Sequence, residues 1–344
     1  MKQKRSMKWN VLFLILIFSL TSYALLKDQN LKQLVELIHE ANTWYLLVAV
    51  FFVIIFVCGE SVILHYMLRK IGKKTSRMSC IKYSFIGFFV SCITPSASGG
   101  QPAQIYYMKK DGIDISIATP ILMIVTIGYK LVLVVLGIWF MLFERTLWNQ
   151  YMTSFTEFLF YFGMLCNVIG IGGLLIFIFI PSFAKKLVYL GHKILSRLHI
   201  LKEREEVVVD SMEQYQEISS YFHSHIGVLI VVFFLSVLQR VCLFYVTYLV
   251  YRSFGLHGVN WYVIVMLQTI IAICVEMLPL PGGMGVSEKL FLILFLPIFG
   301  HQLLFPAMLL SRGISYYVLL LLSAIVTAYA HLKVMIGERE ERER

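Results

Sequence analysis

Long apolar runs alternate along this chain with short polar connections, most of them basic. The runs are Trp9–Leu26, Trp44–Leu68, Cys80–Thr94, Ile115–Phe143, Phe158–Pro181, Ile226–Tyr251, Trp261–Leu278 and Glu288–Gly300, followed by Leu303–His331. Most approach or exceed the roughly 20 apolar residues that an α-helix needs to cross a bilayer. Two regions do not fit a simple crossing. Cys80–Thr94 would make a helix of only about 22 Å, short of a hydrocarbon core of about 30 Å. It runs into Pro95-Ser96-Ala97-Ser98-Gly99-Gly100-Gln101-Pro102 before a short helix reaches Lys109-Lys110. Trp261–Leu278 runs into Pro279-Leu280-Pro281-Gly282-Gly283-Met284-Gly285 and returns through Glu288–Gly300. Both regions read as re-entrant hairpins, which leaves six full crossings.

Loop charge orients the expected topology. Segments 1–8, 69–82, 109–114, 182–222 and 332–344 carry 22 Lys and Arg, whereas 27–43, 144–157 and 252–260 carry 4. Basic loops stay on the cytoplasmic side, so both termini are expected there. The first hairpin then enters from the cytoplasm and the second from outside. The resulting order repeats with inverted direction: helix, helix, hairpin, helix. The whole of 1–344 reads as a single all-α membrane domain with inverted halves 1–143 and 157–331 and a charged tail at 332–344. Within 182–222, Leu198, Leu201, Val208, Met212, Tyr215, Ile218 and Phe222 recur at helical steps among Glu and Lys. That pattern predicts an amphipathic helix in the cytoplasmic interface, a solvated charged loop being the alternative. The first run, with its basic start and Thr21-Ser22-Tyr23-Ala24, also has the outline of a signal peptide. It is long enough to span, and its removal would leave the halves unequal.

Composition agrees with a lipid-embedded chain. Hydrophobic residues make up 59% and charged residues 15% of the 344, against roughly 25% charged in soluble domains, and the mean hydropathy is +0.78. The net charge of +10 sits in loops and needs no nucleic-acid partner. Six cysteines lie in or beside apolar stretches without paired spacing. They read as small hydrophobes, with no metal site or disulfide framework implied.

The interruptions of this hydrophobicity carry the candidate chemistry. Irregular backbone at membrane depth is tolerated only where protein buries it or a wet cavity receives it. Two Pro/Gly breaks at matching places in two halves point to a binding site. Gly99, Gly100, Gly282, Gly283 and Gly285 permit close backbone approach and left-handed conformations. The helices after each break offer N–H groups suited to a phosphate or carboxylate. Neither glycine run has the spacing of a nucleotide loop. Ionisable residues inside the spans are the second signal: Lys130, Arg240 and Arg312, with Glu60, Glu276 and Glu288. Charges at that depth are costly and mark cavities or pairs; ion pairing between helices is the structural alternative. No cofactor, metal centre or catalytic nucleophile is indicated.

Three motifs carry a resemblance. They are Thr94-Pro95-Ser96-Ala97-Ser98-Gly99-Gly100-Gln101-Pro102 with Ile105-Tyr106-Tyr107, then Leu278–Glu288 around the second break, then Ser311-Arg312-Gly313-Ile314-Ser315-Tyr316-Tyr317. In this order they resemble the flippase-type transmembrane domain of bacterial lysylphosphatidylglycerol synthase/flippases, the multiple peptide resistance factor family. The resemblance covers nearly the whole chain. It implies a protein of the bacterial cytoplasmic membrane that translocates an anionic or lysylated phospholipid between leaflets, in support of antimicrobial peptide resistance. Full-length members also carry a soluble aminoacyltransferase domain, which these residues do not include, so synthase activity by this chain alone is not expected.

The expected substrate site then comprises Gly99, Gly100, Gln101, Lys130, Arg240, Glu276, Gly282, Gly283, Glu288 and Arg312, with Glu60 balancing charge. The expected partner is a membrane phospholipid. Two alternatives stand beside this reading: a membrane subunit for a separately encoded aminoacyl-lipid synthase, and a secondary transporter of a small polar solute. A homo-oligomer is compatible with each.

Overall fold

The computed structural model describes residues 31–180, 183, 185, 186, 189 and 205–343. The expected first crossing, Trp9–Leu26, lies outside the described residues, as does much of the linker 182–222. Every element among the described residues is helical. In chain order they are α1 (Leu31–Glu40), α2 (Thr43–Lys70), α3 (Arg77–Ile93), α4 (Gly100–Lys110), α5 (Ile115–Phe143), α6 (Arg145–Tyr151) and α7 (Ser154–Phe179). There follow α8 (Glu205–Ser224), α9 (Ile226–Ser253), α10 (Trp261–Val275), α11 (Val286–Leu294), α12 (Leu296–Arg312) and α13 (Leu319–Glu343).

Local sequence explains where these helices begin. The Asn42 side chain accepts from Trp44 N at 2.9 Å and Asn260 from Tyr262 N at 3.1 Å, while Ser76 and Thr153 cap α3 and α7. Each cap satisfies one of the N–H groups that a helix start leaves without a partner. Among the described residues five helices are long and apolar enough to cross a membrane: Thr43–Lys70, Ile115–Phe143, Ser154–Phe179, Ile226–Ser253 and the stretch Leu296–Ile336. The protein is a multi-pass membrane protein. Its outer surface bears exposed Trp44, Phe51, Phe143, Phe158, Phe234 and Tyr329. Such a surface suits lipid and not water.

The last stretch is not uniform. Gly300 breaks it at φ 63°, at the position where the apolar run pauses in the sequence. Immediately after Arg312 the helix loosens into a π-helical segment, Gly313–Val318, before α13. Local π geometry in a helix is a recurrent mark of functional sites.

α2 and α9 lie against each other. α3 packs on α2, α4 and α13; α10 packs on α9, α5 and α7. The bends that follow α3 and α10, Pro95–Ala97 and Pro281–Gly283, touch each other. Ser96 Oγ donates to Leu278 O at 3.1 Å and Tyr316 OH donates to Cys92 O at 2.9 Å. Two segments about 180 residues apart in sequence thus meet inside the bundle.

Small residues permit the closest approaches. A Cβ on Gly163 of α7 would sit 2.1 Å from the carbonyl oxygen of Ile273 in α10. That atom belongs to the backbone and cannot swing aside. Gly163→Ala is therefore expected to destabilise the bundle by about 1–3 kcal/mol, as overpacked cores do. Thermal unfolding in detergent measures it; an unchanged midpoint would mean that the two helices separate freely.

Two elements differ from the sequence expectation. Residues 27–43 read as a plain connection, yet α1 occupies Leu31–Glu40 with Leu34 buried, and it packs on α12. The amphipathic helix is present as α8, but its apolar face is partly taken up by protein. Tyr215 is 4% and Phe222 0% exposed. Tyr215 OH donates to Phe177 O at 3.2 Å, and Gln214 bonds Ser116. α8 docks on α5 and the end of α7. Of the residues that predicted it, Leu198 and Leu201 lie outside the described residues.

Candidate functional site

The two breaks close over a cavity of about 520 Å³, well within the range of ligand sites. Of the residues singled out from the sequence, Glu60, Gln101, Lys130, Arg240, Glu276, Gly282, Gly283 and Arg312 line it. Glu288 sits behind the wall, 3% exposed, with its neighbour Ser287 on the lining. Gly99 and Gly100 are not on the lining. They work in the first hairpin itself, where a Cβ on Gly100 would sit 2.1 Å from Ser91 Oγ and 2.7 Å from Gly87 O. The first break differs from the expectation in another respect. Its left-handed residues are Ser96 (φ 50°) and Ala97 (φ 53°), not the glycines. A non-glycine residue in that region stores strain and is held only by its surroundings. Here the Ser96 bond to Leu278 O helps to hold it.

The second break is braced by one ion pair. Arg312 Nε donates to Glu288 Oε1 at 2.8 Å and Arg312 Nη2 to Gly282 O at 2.9 Å. The other carboxylate oxygen of Glu288 accepts from Gly285 N at 2.6 Å and from Ser287 Oγ at 3.0 Å. Glu288 thus caps the helix it belongs to and fixes the arginine, so the Gly285 N–H at the start of α11 is already engaged. Gly282 (φ 57°) lies under the Tyr316 ring, where a Cβ would come within 2.2 Å. The Arg312 guanidinium stands 4.8 Å over that same ring.

A second pair crosses the cavity. Arg240 Nη2 donates to Glu276 Oε1 at 2.9 Å, and the Arg240 guanidinium stacks 5.1 Å from the Tyr129 ring. Arg240 Nε and Glu276 Oε2 are buried without a hydrogen-bond partner among the described residues. Unsatisfied buried groups are costly, and two at one cavity leave capacity for a polar ligand.

Lys130 is placed differently from both arginines. Its ammonium reaches Asn167 Oδ1 at 3.4 Å and Met277 Sδ at 3.0 Å. Both are weak partners, and no carboxylate lies within ion-pair distance among the described residues. Gly170 of α7 faces its stem. Among the described residues the cavity therefore holds two arginines already braced by carboxylates and one lysine available to an anion.

Several participants were not singled out from the sequence. Tyr129, Gln104 and Gln239 form a buried network with Glu60, and Asn167 is a weak partner of Lys130; Tyr316, which the sequence marks only as part of the third motif, bridges the breaks. Gln101, whose position was expected to matter, bonds Thr126. A readable signal existed in part: Asn167 and Gln239 are amides within otherwise apolar runs.

No His/Cys/Asp/Glu cluster suited to a metal ion is present among the described residues. Comparison with curated proteins gives no match. The family model for the lysylphosphatidylglycerol synthase TM region, in contrast, matches residues 10–323. With the breaks, their contacts and the charged cavity all inside that span, the chain belongs to this family of membrane proteins in lipid metabolism or transport.

Proposed function

We propose that the protein moves a phospholipid with an anionic or aminoacylated headgroup between leaflets, with the headgroup phosphate held in the cavity between the breaks. The observation that carries this reading is Lys130, a cation inside the bundle that makes no direct ion pair among the described residues, facing a cavity that both breaks close. A phosphodiester would give it a charge-assisted bond, while the acyl chains remain in lipid. Glu276 would receive a cationic substituent on the headgroup through its unpartnered oxygen.

The architecture favours alternating access. We read six crossings and two re-entrant hairpins, arranged as inverted halves 1–143 and 157–331, with both termini cytoplasmic in a bacterial cytoplasmic membrane. The packing supports this because it repeats under exchange of the halves. α2 packs on α3 as α9 packs on α10, and α13 packs on α3 as α5 packs on α10. α5 packs on α9 as the π segment packs on α2. Inverted halves around a midplane site are a recurrent transporter design.

Proteoliposomes carrying labelled phosphatidylglycerol or its lysyl form in one leaflet test the reading. Leaflet exchange faster than in protein-free vesicles is expected for one or both lipids. Exchange no faster than in protein-free vesicles for either lipid would overturn it.

A further inference from the structure

Of the three carboxylates that the described residues place at the cavity, Glu276 and Glu288 each hold an arginine, whereas Glu60 has no cation within ion-pair distance among those residues. Its partners are neutral. Gln104 Nε2 donates to Oε1 and Tyr129 OH to Oε2, each at 2.5 Å. The direction of the second bond is set by its neighbours. Gln239 Nε2 donates to Phe56 O at 2.7 Å and to the Tyr129 oxygen at 3.1 Å, which leaves the phenol proton for Glu60. Both carboxylate oxygens thus accept, an arrangement wired for the ionised form. Yet the residue is only 5% exposed, and an ionised carboxylate at this depth without a cation is unfavourable.

The groups that face Glu60 from the packed elements are few. α4 supplies Gln104, α5 supplies Tyr129 with Lys130 beyond it, and α9 supplies Arg240. α3 supplies Ser84 and, farther along the cavity wall, Cys92. Arg312 and Tyr316 line the same cavity, and α2 itself carries Cys58 and His65. Arg240 is the cation whose charge reaches Glu60, and it is paired with Glu276.

Charge balance then links two events. Lys130, Arg240 and Arg312 face Glu60, Glu276 and Glu288, so the site is neutral when every group is ionised. A monoanionic phosphodiester entering that site leaves one negative charge uncompensated in a low-dielectric interior. A proton on Glu60 cancels it without disturbing either arginine pair. We propose that Glu60 is a proton-binding site linked to the anion site, so that a phosphodiester and one proton occupy the cavity together. The proton comes from water in the cavity and returns to water when the anion leaves. This rests on the cavity being a phosphate site, and it does not require that lipid be translocated.

Calorimetric titration of the purified full chain in detergent tests it, in buffers of differing ionisation enthalpy. The probes are a short-chain phosphatidylglycerol and its soluble headgroup, glycerophosphoglycerol. Each is a phosphodiester, a strong acid that stays a monoanion throughout the neutral range, so the probes themselves exchange no proton. The wild-type protein is expected to take up as much as one proton per anion bound, with affinity rising as much as about tenfold per pH unit of acidification where Glu60 is ionised beforehand. Glu60→Gln should bind without proton uptake and without pH dependence. Tyr129→Phe keeps the carboxylate and removes one donor, so uptake should persist with its midpoint at higher pH. This variant decides the matter where Glu60→Gln does not fold.

Uptake unchanged in Glu60→Gln, a midpoint unmoved in Tyr129→Phe, or binding of neither probe would overturn the proposal. Binding of the soluble headgroup as tightly as the lipid would identify a free phosphate ester as the ligand, with the proton linkage intact. Proton uptake without leaflet exchange in vesicles would sink the translocation reading alone.

Discussion

Arg312→Ala is expected to lower stability by about 3–5 kcal/mol, the usual effect of removing one partner from a buried pair. The remaining Glu288 side chain is 4% exposed and would be left as an uncompensated charge. The effect reaches past the pair. Arg312 ties Glu288 to the Gly282 carbonyl, and Gly282 sits under Tyr316, which bonds across to Cys92 at the end of α3. Removing the guanidinium should loosen both breaks and with them the cavity. Arg312→Lys is not a rescue. A single ammonium cannot reproduce the separate Nε and Nη2 bonds to two acceptors in different directions. Thermal unfolding in detergent with headgroup titration reads both consequences. A double variant, Arg312→Met with Glu288→Gln, removes the orphaned charge and should recover most of the stability while anion binding stays lost. If Arg312→Ala unfolds at the wild-type temperature, the brace is not what holds the second break.

The contrast between charged pairs and neutral networks also explains what the sequence could show. Pro/Gly breaks inside apolar runs are unusual enough to be read directly, and the structure brings both to one cavity. Lys130, Arg240 and Arg312 were legible for the same reason, since a charge within a crossing has few benign explanations. What sequence could not assign was who pairs with whom. Glu60, Glu276 and Glu288 are alike on the chain, yet only two of them meet an arginine, because pairing depends on how α9, α10 and α12 rotate against one another.

The conformation of the first break was hidden for a different reason. Glycine permits a left-handed backbone but does not require it. The cross-contact to Leu278 instead accompanies that conformation at Ser96, while Gly100 serves the approach of α4 to α3. α1 is not legible in the sequence because ten residues with a few polar positions look like a connection until a partner, here α12, covers one face. In each case the missing information was tertiary.

Lys130→Met is expected to show the opposite pattern from Arg312→Ala. Among the described residues the lysine makes no direct ion pair, and its charge reaches Glu276 only at longer range, so the fold gains less from that charge than it loses by burying it. An unbranched apolar side chain of similar reach fills the space beside Gly170, Asn167 and Met277. Thermal stability should therefore be retained or raised. Anion binding should fall by the value of one hydrogen bond to a charged group, about 1.5–3 kcal/mol, which is roughly a 10- to 150-fold loss of affinity. Gain of stability with loss of ligand is the behaviour of a residue kept for function against the interest of the fold. Headgroup titration and thermal unfolding on the same preparation separate the cases. If Lys130→Met destabilises the protein as Arg312→Ala does, the lysine is a structural residue and the anion must be held elsewhere. If it binds the headgroup with unchanged affinity, the available cation at the cavity is not the phosphate ligand.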